Sequence, residues 1–75
     1  MSDTESDEET NFVHFLTKDD NYSAEITING VSETIDIREI EQIDRMIFHI
    51  SQLPLSTVGR TPTLAFLRAN RKILP

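Results

Sequence analysis

The sequence has no cysteine, no tryptophan and only two glycines among its 75 residues. Without cysteine it forms neither disulfides nor thiolate metal sites, which excludes the disulfide-stapled scaffolds of small secreted proteins. The two glycines, Gly30 and Gly59, lie too far apart for a glycine-rich phosphate loop. A chain of this length must therefore fold by packing alone, close to the lower size limit at which that succeeds.

Long apolar runs are also missing. No stretch approaches the roughly 20 apolar residues needed to cross a bilayer. The N-terminus does not have the basic and then apolar pattern of a signal peptide. We therefore expect a soluble protein of the cytoplasm or nucleus.

Acidic residues are absent from the second part of the chain, because all 13 lie at or before Asp44. Residues 1–44 carry a formal charge of −11, two basic residues against 13 acids, and residues 45–75 carry +5. The basic residues of the second part are Arg45, Arg60, Arg68, Arg71 and Lys72. Such asymmetry indicates an interaction surface or attraction between two parts of one fold.

The first ten residues have little to bury. They contain five acids and no apolar residue except Met1. Such a composition does not offset the entropy lost on ordering. We expect a disordered acidic tail at residues 1–10 and a single domain at residues 11–75.

The next segments have the alternation of β-strands. Residues 11–17 carry apolar side chains on both faces, and residues 22–28 have one apolar and one polar face. Asn29-Gly30 suits a type I′ hairpin turn, because both residues tolerate positive φ. A two-residue turn places Glu33 on the apolar face, so either Glu33 lies at an exposed edge or the turn is longer.

Helical periodicity follows. Isoleucines recur at intervals of three and four, at Ile37, Ile40, Ile43, Ile47 and Ile50. Asp36 and Glu39 have the spacing of a capping box, and Pro54 ends the helix near residues 51–53.

A second helix should open at Thr61-Pro62, with Thr61 as N-cap. Its inward side chains would be Leu64, Ala65, Leu67 and Ala69. The predicted fold is α+β, a small antiparallel β-meander of about three strands followed by two antiparallel helices packed on one face.

Catalysis is not expected. His14 and His49, the two imidazoles, fall on different elements without ligand spacing. We interpret His14 as a partly buried structural residue and predict a protein that is no enzyme and holds no metal or cofactor.

Direct nucleic-acid binding is the alternative function, as a small regulator. The second helix offers a basic contact face of Arg60, Arg68, Arg71 and Lys72, which could follow phosphates. The acidic total charge disfavours this.

The connector LPLSTVGR, with Leu53, Pro54, Ser56, Gly59 and Arg60, resembles the LPxSxxGR-type connector of small type I-F anti-CRISPR proteins of Pseudomonas phages. The opening strand, at Phe12, Val13, Phe15, Leu16 and Thr17, is similar to theirs too, and Asn21-Tyr22 matches the start of the next strand. Phe15 stands where that family has a tyrosine, and the acidic tail is not part of its pattern.

The resemblance implies a β-sheet followed by two helices. It also implies an inhibitor in the host cytoplasm that binds the backbone subunits of the crRNA-guided surveillance complex. Such an inhibitor blocks pairing of the guide RNA with target DNA.

The contact surface is predicted on the sheet. With Phe12 and Leu16 inward, Val13 and Phe15 would face out beside the polar side of the next strand. In the alternative the strand is reversed and His14 faces out. The predicted partner-binding residues are Val13, Phe15, Tyr22, Glu25, Thr27 and Glu33.

Removing residues 1–10 should leave the fold intact, since their composition offers nothing to bury. The full chain and the chain 11–75 should have the same melting temperature. Slow hydrogen exchange at Ser2 to Glu9 would contradict this and indicate docking of the tail.

Overall fold

The computed structural model describes residues 11–20 and 22–74. The elements are β1 (Val13–Thr17), β2 (Ser23–Ile28), β3 (Val31–Asp36), α1 (Ile40–Ser51) and α2 (Arg60–Lys72). The strands form one antiparallel sheet in the order β1-β2-β3. The predicted α+β meander followed by two helices is confirmed, and the predicted tail lies outside the described residues.

The hairpin between β2 and β3 has the two-residue turn that its sequence predicts. Asn29 has φ 50° and Gly30 has φ 90°, and Ile28 pairs with Val31. Asn29 has a second role, because its Oδ1 accepts the Phe12 N–H at 2.8 Å. The turn therefore also fastens the start of β1.

Side chains from all five elements form the core, on the inner face of the sheet. α1 contacts β3, α2 contacts β1, and the two helices contact each other. The buried apolar residues are Val13, Ala24, Ile26, Ile35, Ile43, Met46, Ile50, Leu64 and Leu67.

β1 has the opposite orientation to the one first predicted. Val13 is 2% exposed, and the Phe15 ring stacks on Phe66 with centroids 4.2 Å apart. Phe12 and Leu16 are 40% and 59% exposed. The prediction that Val13 and Phe15 face solvent is wrong, and the alternative, with His14 outward, is confirmed.

α1 begins three residues later than predicted. Asp36 ends β3, and the N-cap is Glu39, whose side chain makes no cap hydrogen bond within the described residues. The Asp36 carboxylate accepts the backbone N–H and the guanidinium of Arg38 instead. The predicted capping box is wrong because Asp36 serves the turn before the helix.

α2 begins earlier than predicted, at Arg60 with Gly59 as N-cap, not at Thr61. Leu64 and Leu67 are buried as expected, whereas Ala65 and Ala69 are exposed.

The connector between the helices covers the start of the β1 edge. The Val58 carbonyl accepts the Val13 N–H at 2.9 Å, and the Val58 N–H donates to the Asn11 carbonyl at 2.9 Å. Phe12 and Val58 consequently form an isolated parallel bridge. The connector acts as a very short additional strand beside β1.

Gly59 and Arg60 complete this junction. Gly59 has φ 81°, and a Cβ at this position would lie 2.0 Å from the Val13 carbonyl oxygen. The Arg60 guanidinium donates to the carbonyls of Leu53, at 3.2 Å, and Ser51, at 3.5 Å. A cation on the carbonyls at the end of α1 satisfies groups that lack helical partners and complements the helix dipole.

Gly59→Ala should destabilise the fold more than Gly30→Ala. Both glycines have positive φ, which costs an alanine about 1–2 kcal/mol, but nothing lies within 4 Å of a Cβ at Gly30. At Gly59 the added methyl must also displace the Val13 backbone, so we expect a further loss of about 1–3 kcal/mol in the free energy of unfolding. Urea unfolding of both variants measures the difference. Equal losses in the free energy of unfolding would show that the backbone at the junction moves without cost.

Candidate functional site

The outer face of the sheet is the face opposite the helices. We define it by Phe12, His14 and Leu16 near or in β1, Glu25 and Thr27 in β2, and Ser32 and Thr34 in β3. The strand registers place these side chains in two rows across the sheet, His14–Thr27–Ser32 and Leu16–Glu25–Thr34. The packed helices lie on the other side, so this face is open in the described part of the chain.

An exposed apolar row follows β1 on the outer face. The rings of Phe12 and His14 stack with centroids 6.3 Å apart, and Leu16 comes next along the strand. Val58 lies beside Phe12 through their bridge and is 61% exposed. His14 is exposed, so the expectation that it is partly buried is wrong. Its ring, although polar, continues the row between Phe12 and Leu16.

The rest of the outer face is polar. The hydroxyls of Thr27 and Ser32 form a hydrogen bond across the strands at 2.9 Å. Glu25 lies 3.9 Å from the Lys18 ammonium. A wide, loosely paired salt bridge of this kind leaves the carboxylate accessible to another donor.

Tyr22 lies at the end of the sheet, where Arg38 contacts its ring and Asp20 bonds to its backbone. The Arg38 guanidinium lies 3.9 Å from the Tyr22 ring centroid and donates to Asp36 from Nε and Nη2, each at 3.0 Å. Asp20 accepts the backbone N–H groups of Tyr22 and Ser23 at 3.0 Å. The Tyr22 N–H lowers the pKa of Asp20, and the Arg38 guanidinium lowers that of Asp36.

The predicted partner-binding residues divide into two groups. Glu25 and Thr27 lie on the outer face, and Tyr22 lies at its end. Val13 and Phe15 are inside, where they pack against the helices. Phe12, His14, Leu16 and Val58 were not predicted as contact residues, and the alternative orientation of β1 indicated only that His14 faces out.

Glu33 lies on the inner face at the exposed edge, as the two-residue turn predicts. Its Oε2 accepts a hydrogen bond from Arg45 at 2.6 Å, and this bond lowers the pKa of Glu33 below its ordinary value. It also lines a pocket of about 330 Å³ with Ile26, Ile28, Val31, Met46 and His49. Glu33 is therefore not part of the outer face.

The predicted basic face is also divided. Arg60 caps α1, and Arg71 donates to Asp44 at 2.5 Å. Arg68 and Lys72 are exposed and pair with no carboxylate among the described residues. Two of the four predicted cations thus serve the fold.

No family model matches this chain, and neither a curated protein nor a solved structure matches it. The described helices are all too short or too polar to span a membrane.

Glu33→Gln should reduce the acid sensitivity of the fold. A lowered folded-state pKa means that the Arg45 contact contributes its full stability above the ordinary pKa of about 4.5 and loses it as the pH falls through the lower folded value. Urea unfolding at pH 7 and at pH 3 should therefore show a smaller difference for Glu33→Gln than for the parent. Glu39→Gln is the matched control. If both variants reduce the pH dependence of stability equally, the assignment to Glu33 is wrong.

Proposed function

We propose that this protein inhibits a host nucleic-acid machine by binding one of its protein subunits through the outer face. The observation that carries this proposal is the exposed row of Phe12, His14, Leu16 and Val58. Contiguous exposed apolar side chains rimmed by polar ones are typical of protein interaction sites. In a protein with so small a core, these side chains would strengthen the fold if they pointed inward.

The backbone that carries the aromatic part of this row is fixed before any partner arrives. Phe12 is fixed by its backbone bonds to Asn29, whose N–H donates to the Phe12 carbonyl at 2.9 Å and whose side chain accepts the Phe12 N–H. The His14 ring stacks on it. Rigid aromatic side chains carry much of the energy of protein interfaces, since little entropy is lost when they bind.

The charges around the outer face favour a basic partner. Besides Glu33 on the inner face, the acids of the sheet and its first turn are Asp19, Asp20, Glu25 and Asp36, against Lys18 and Arg38. Subunits that hold nucleic acid expose basic surfaces, and a complementary field raises the rate of encounter.

In its most specific form, the host machine is the crRNA-guided surveillance complex in the host cytoplasm, and the protein blocks target recognition by contacting the backbone subunits. The resemblance in the connector supports this form. Its matching residues have defined structural uses, because Gly59 approaches Val13 and Arg60 caps α1. They therefore support a likeness of fold, while binding would rest on the outer face.

The alternative, direct nucleic-acid binding through α2, has less support. Arg60 and Arg71 have internal partners, which leaves Arg68 and Lys72 for phosphates. The described residues carry eight acids and seven basic residues, whereas nucleic-acid-binding domains are usually basic.

Leu16→Arg should weaken binding to an assembled surveillance complex by about tenfold or more, because it places a cation in the apolar row. Glu25→Arg should weaken it as well. Phe48→Arg is the control, since Phe48 is an exposed apolar residue of α1, 63% exposed, away from the sheet. Titration calorimetry and melting temperatures of all three variants separate binding from folding.

Two results would contradict the proposal. If Leu16→Arg and Phe48→Arg bind the complex with equal affinity, the outer face is not the binding surface. If the chain alone shifts DNA or RNA in gels at near-physiological salt, direct nucleic-acid binding through α2 is favoured instead.

A further inference from the structure

We propose that two copies of this chain pair along their β3 strands, with Val31 of each copy entering the pocket of the other. This surface is distinct from the outer face, so the inference does not depend on the proposed function. It is carried by three features of one sheet edge: open backbone groups, an exposed apolar side chain and a pocket beside it.

The open backbone groups follow from the hairpin register. In a two-residue hairpin, Ile28 and Val31 bond to each other, and along β3 the groups then alternate between facing β2 and facing away. Ser32, Thr34 and Asp36 therefore direct their N–H and C=O groups outward. The Asp36 N–H donates to Gln42 Oε1 at 2.9 Å, while in the described part of the chain no residue bonds to the groups of Ser32 and Thr34. Such an edge is a template for another strand.

The pocket lies next to this edge, on the inner face. Its volume is about 330 Å³, and Ile26, Ile28 and Met46 form its apolar wall. Val31 stands at its rim and is 73% exposed. One edge thus presents both a projecting apolar side chain and a hollow that admits one.

Two-fold symmetry makes these two features complementary. When Ser32 lies opposite Ser32 of the second copy in an antiparallel pair, Val31 lies opposite Glu33 of that copy, at the mouth of its pocket. The reverse contact forms by the same symmetry, as in any isologous dimer. Opposite side chains of an antiparallel pair approach within about 5.5 Å between Cβ atoms, which is contact distance.

The charges of the edge permit this pairing. An inward charge on an edge strand normally prevents strand addition, but the Glu33 carboxylate is paired with Arg45 at 2.6 Å. The proposed register also separates the two Glu33 side chains. A second copy is the occupant that supplies both the side chain and the hollow.

Sedimentation equilibrium of the full chain, from micromolar to millimolar concentrations, tests the association. We expect a reversible dimer, and we expect Val31→Lys to raise its dissociation constant about tenfold or more. Leu55→Lys is the matched control, because Leu55 is an exposed apolar residue of the connector, 85% exposed, and it should dimerise like the parent. Melting temperatures confirm that both variants are folded.

The lack of native cysteine allows a test of the register. Two Ser32 residues in a hydrogen-bonded antiparallel pair have Cα atoms about 5.5 Å apart, within the range that a disulfide spans. Under mild oxidation, Ser32→Cys should form a covalent dimer faster than Ser56→Cys, which places a thiol on the exposed connector.

Three outcomes would overturn the inference. If the chain stays monomeric at every concentration, the dimer does not form, and the β3 edge would pair only with a strand of another protein. Equal dimerisation of Val31→Lys and Leu55→Lys places the dimer contact elsewhere. Equal cross-linking of the two cysteine variants rules out the symmetric pair at Ser32.

Discussion

The close approach of Gly59 to the Val13 carbonyl is the constraint on which the rest of the structure depends. Three consecutive residues make the junction there: Val58 bonds to the β1 backbone, Gly59 passes over Val13, and Arg60 bonds to the carbonyls at the end of α1. These contacts fix the edge of the sheet, the start of α2 and the end of α1 together. In so small a chain, with a thin core, backbone contacts of this kind decide how the layers fit.

The fold could be predicted from the sequence where local chemistry determines it. Asn29-Gly30 specifies its turn, because few residue pairs accept positive φ at both positions. The orientation of β1 could not be predicted in this way, because residues 12–17 have apolar side chains on both faces. The choice is made by neighbours distant in sequence: Val13 lies opposite Ile28 and Phe15 lies opposite Ile26.

The helix starts were misjudged for a similar reason. Asp36 has the residue type of a helix cap, and its spacing to Glu39 fits a capping box. In the structure, however, a neighbouring Arg38 supplies a bidentate partner for its carboxylate and keeps it in the turn. Its carboxylate also accepts the Arg38 backbone N–H, so three hydrogen bonds from one residue hold Asp36 in the turn.

The charge asymmetry of the sequence is explained in part by ion pairs within the fold. These pairs leave fewer cations available for a basic binding site. Glu33 pairs with Arg45, and Asp44 pairs with Arg71, so both pairs join the acidic and basic parts of the chain. Exposed pairs of this kind stabilise a fold by only about 0–1 kcal/mol each. They nevertheless remove Arg71 from the set of free cations, as capping removes Arg60. Residue type and spacing predicted a basic face on α2, but only the packing shows which of its members are available.

Under the proposed function, folding and binding use mostly different side chains, and Val58 serves both, with its backbone in the junction and its side chain in the exposed row. The connector motif acts through backbone approach and helix capping, and both serve the fold. The exposed row contributes little to the core, since Phe12, Leu16 and Val58 are all at least 40% exposed. Changes there cost little stability, because exposed substitutions away from special backbone positions have small effects. A chain built in this way can keep its fold through the junction of β1, α1 and α2 while side chains of the outer face are exchanged.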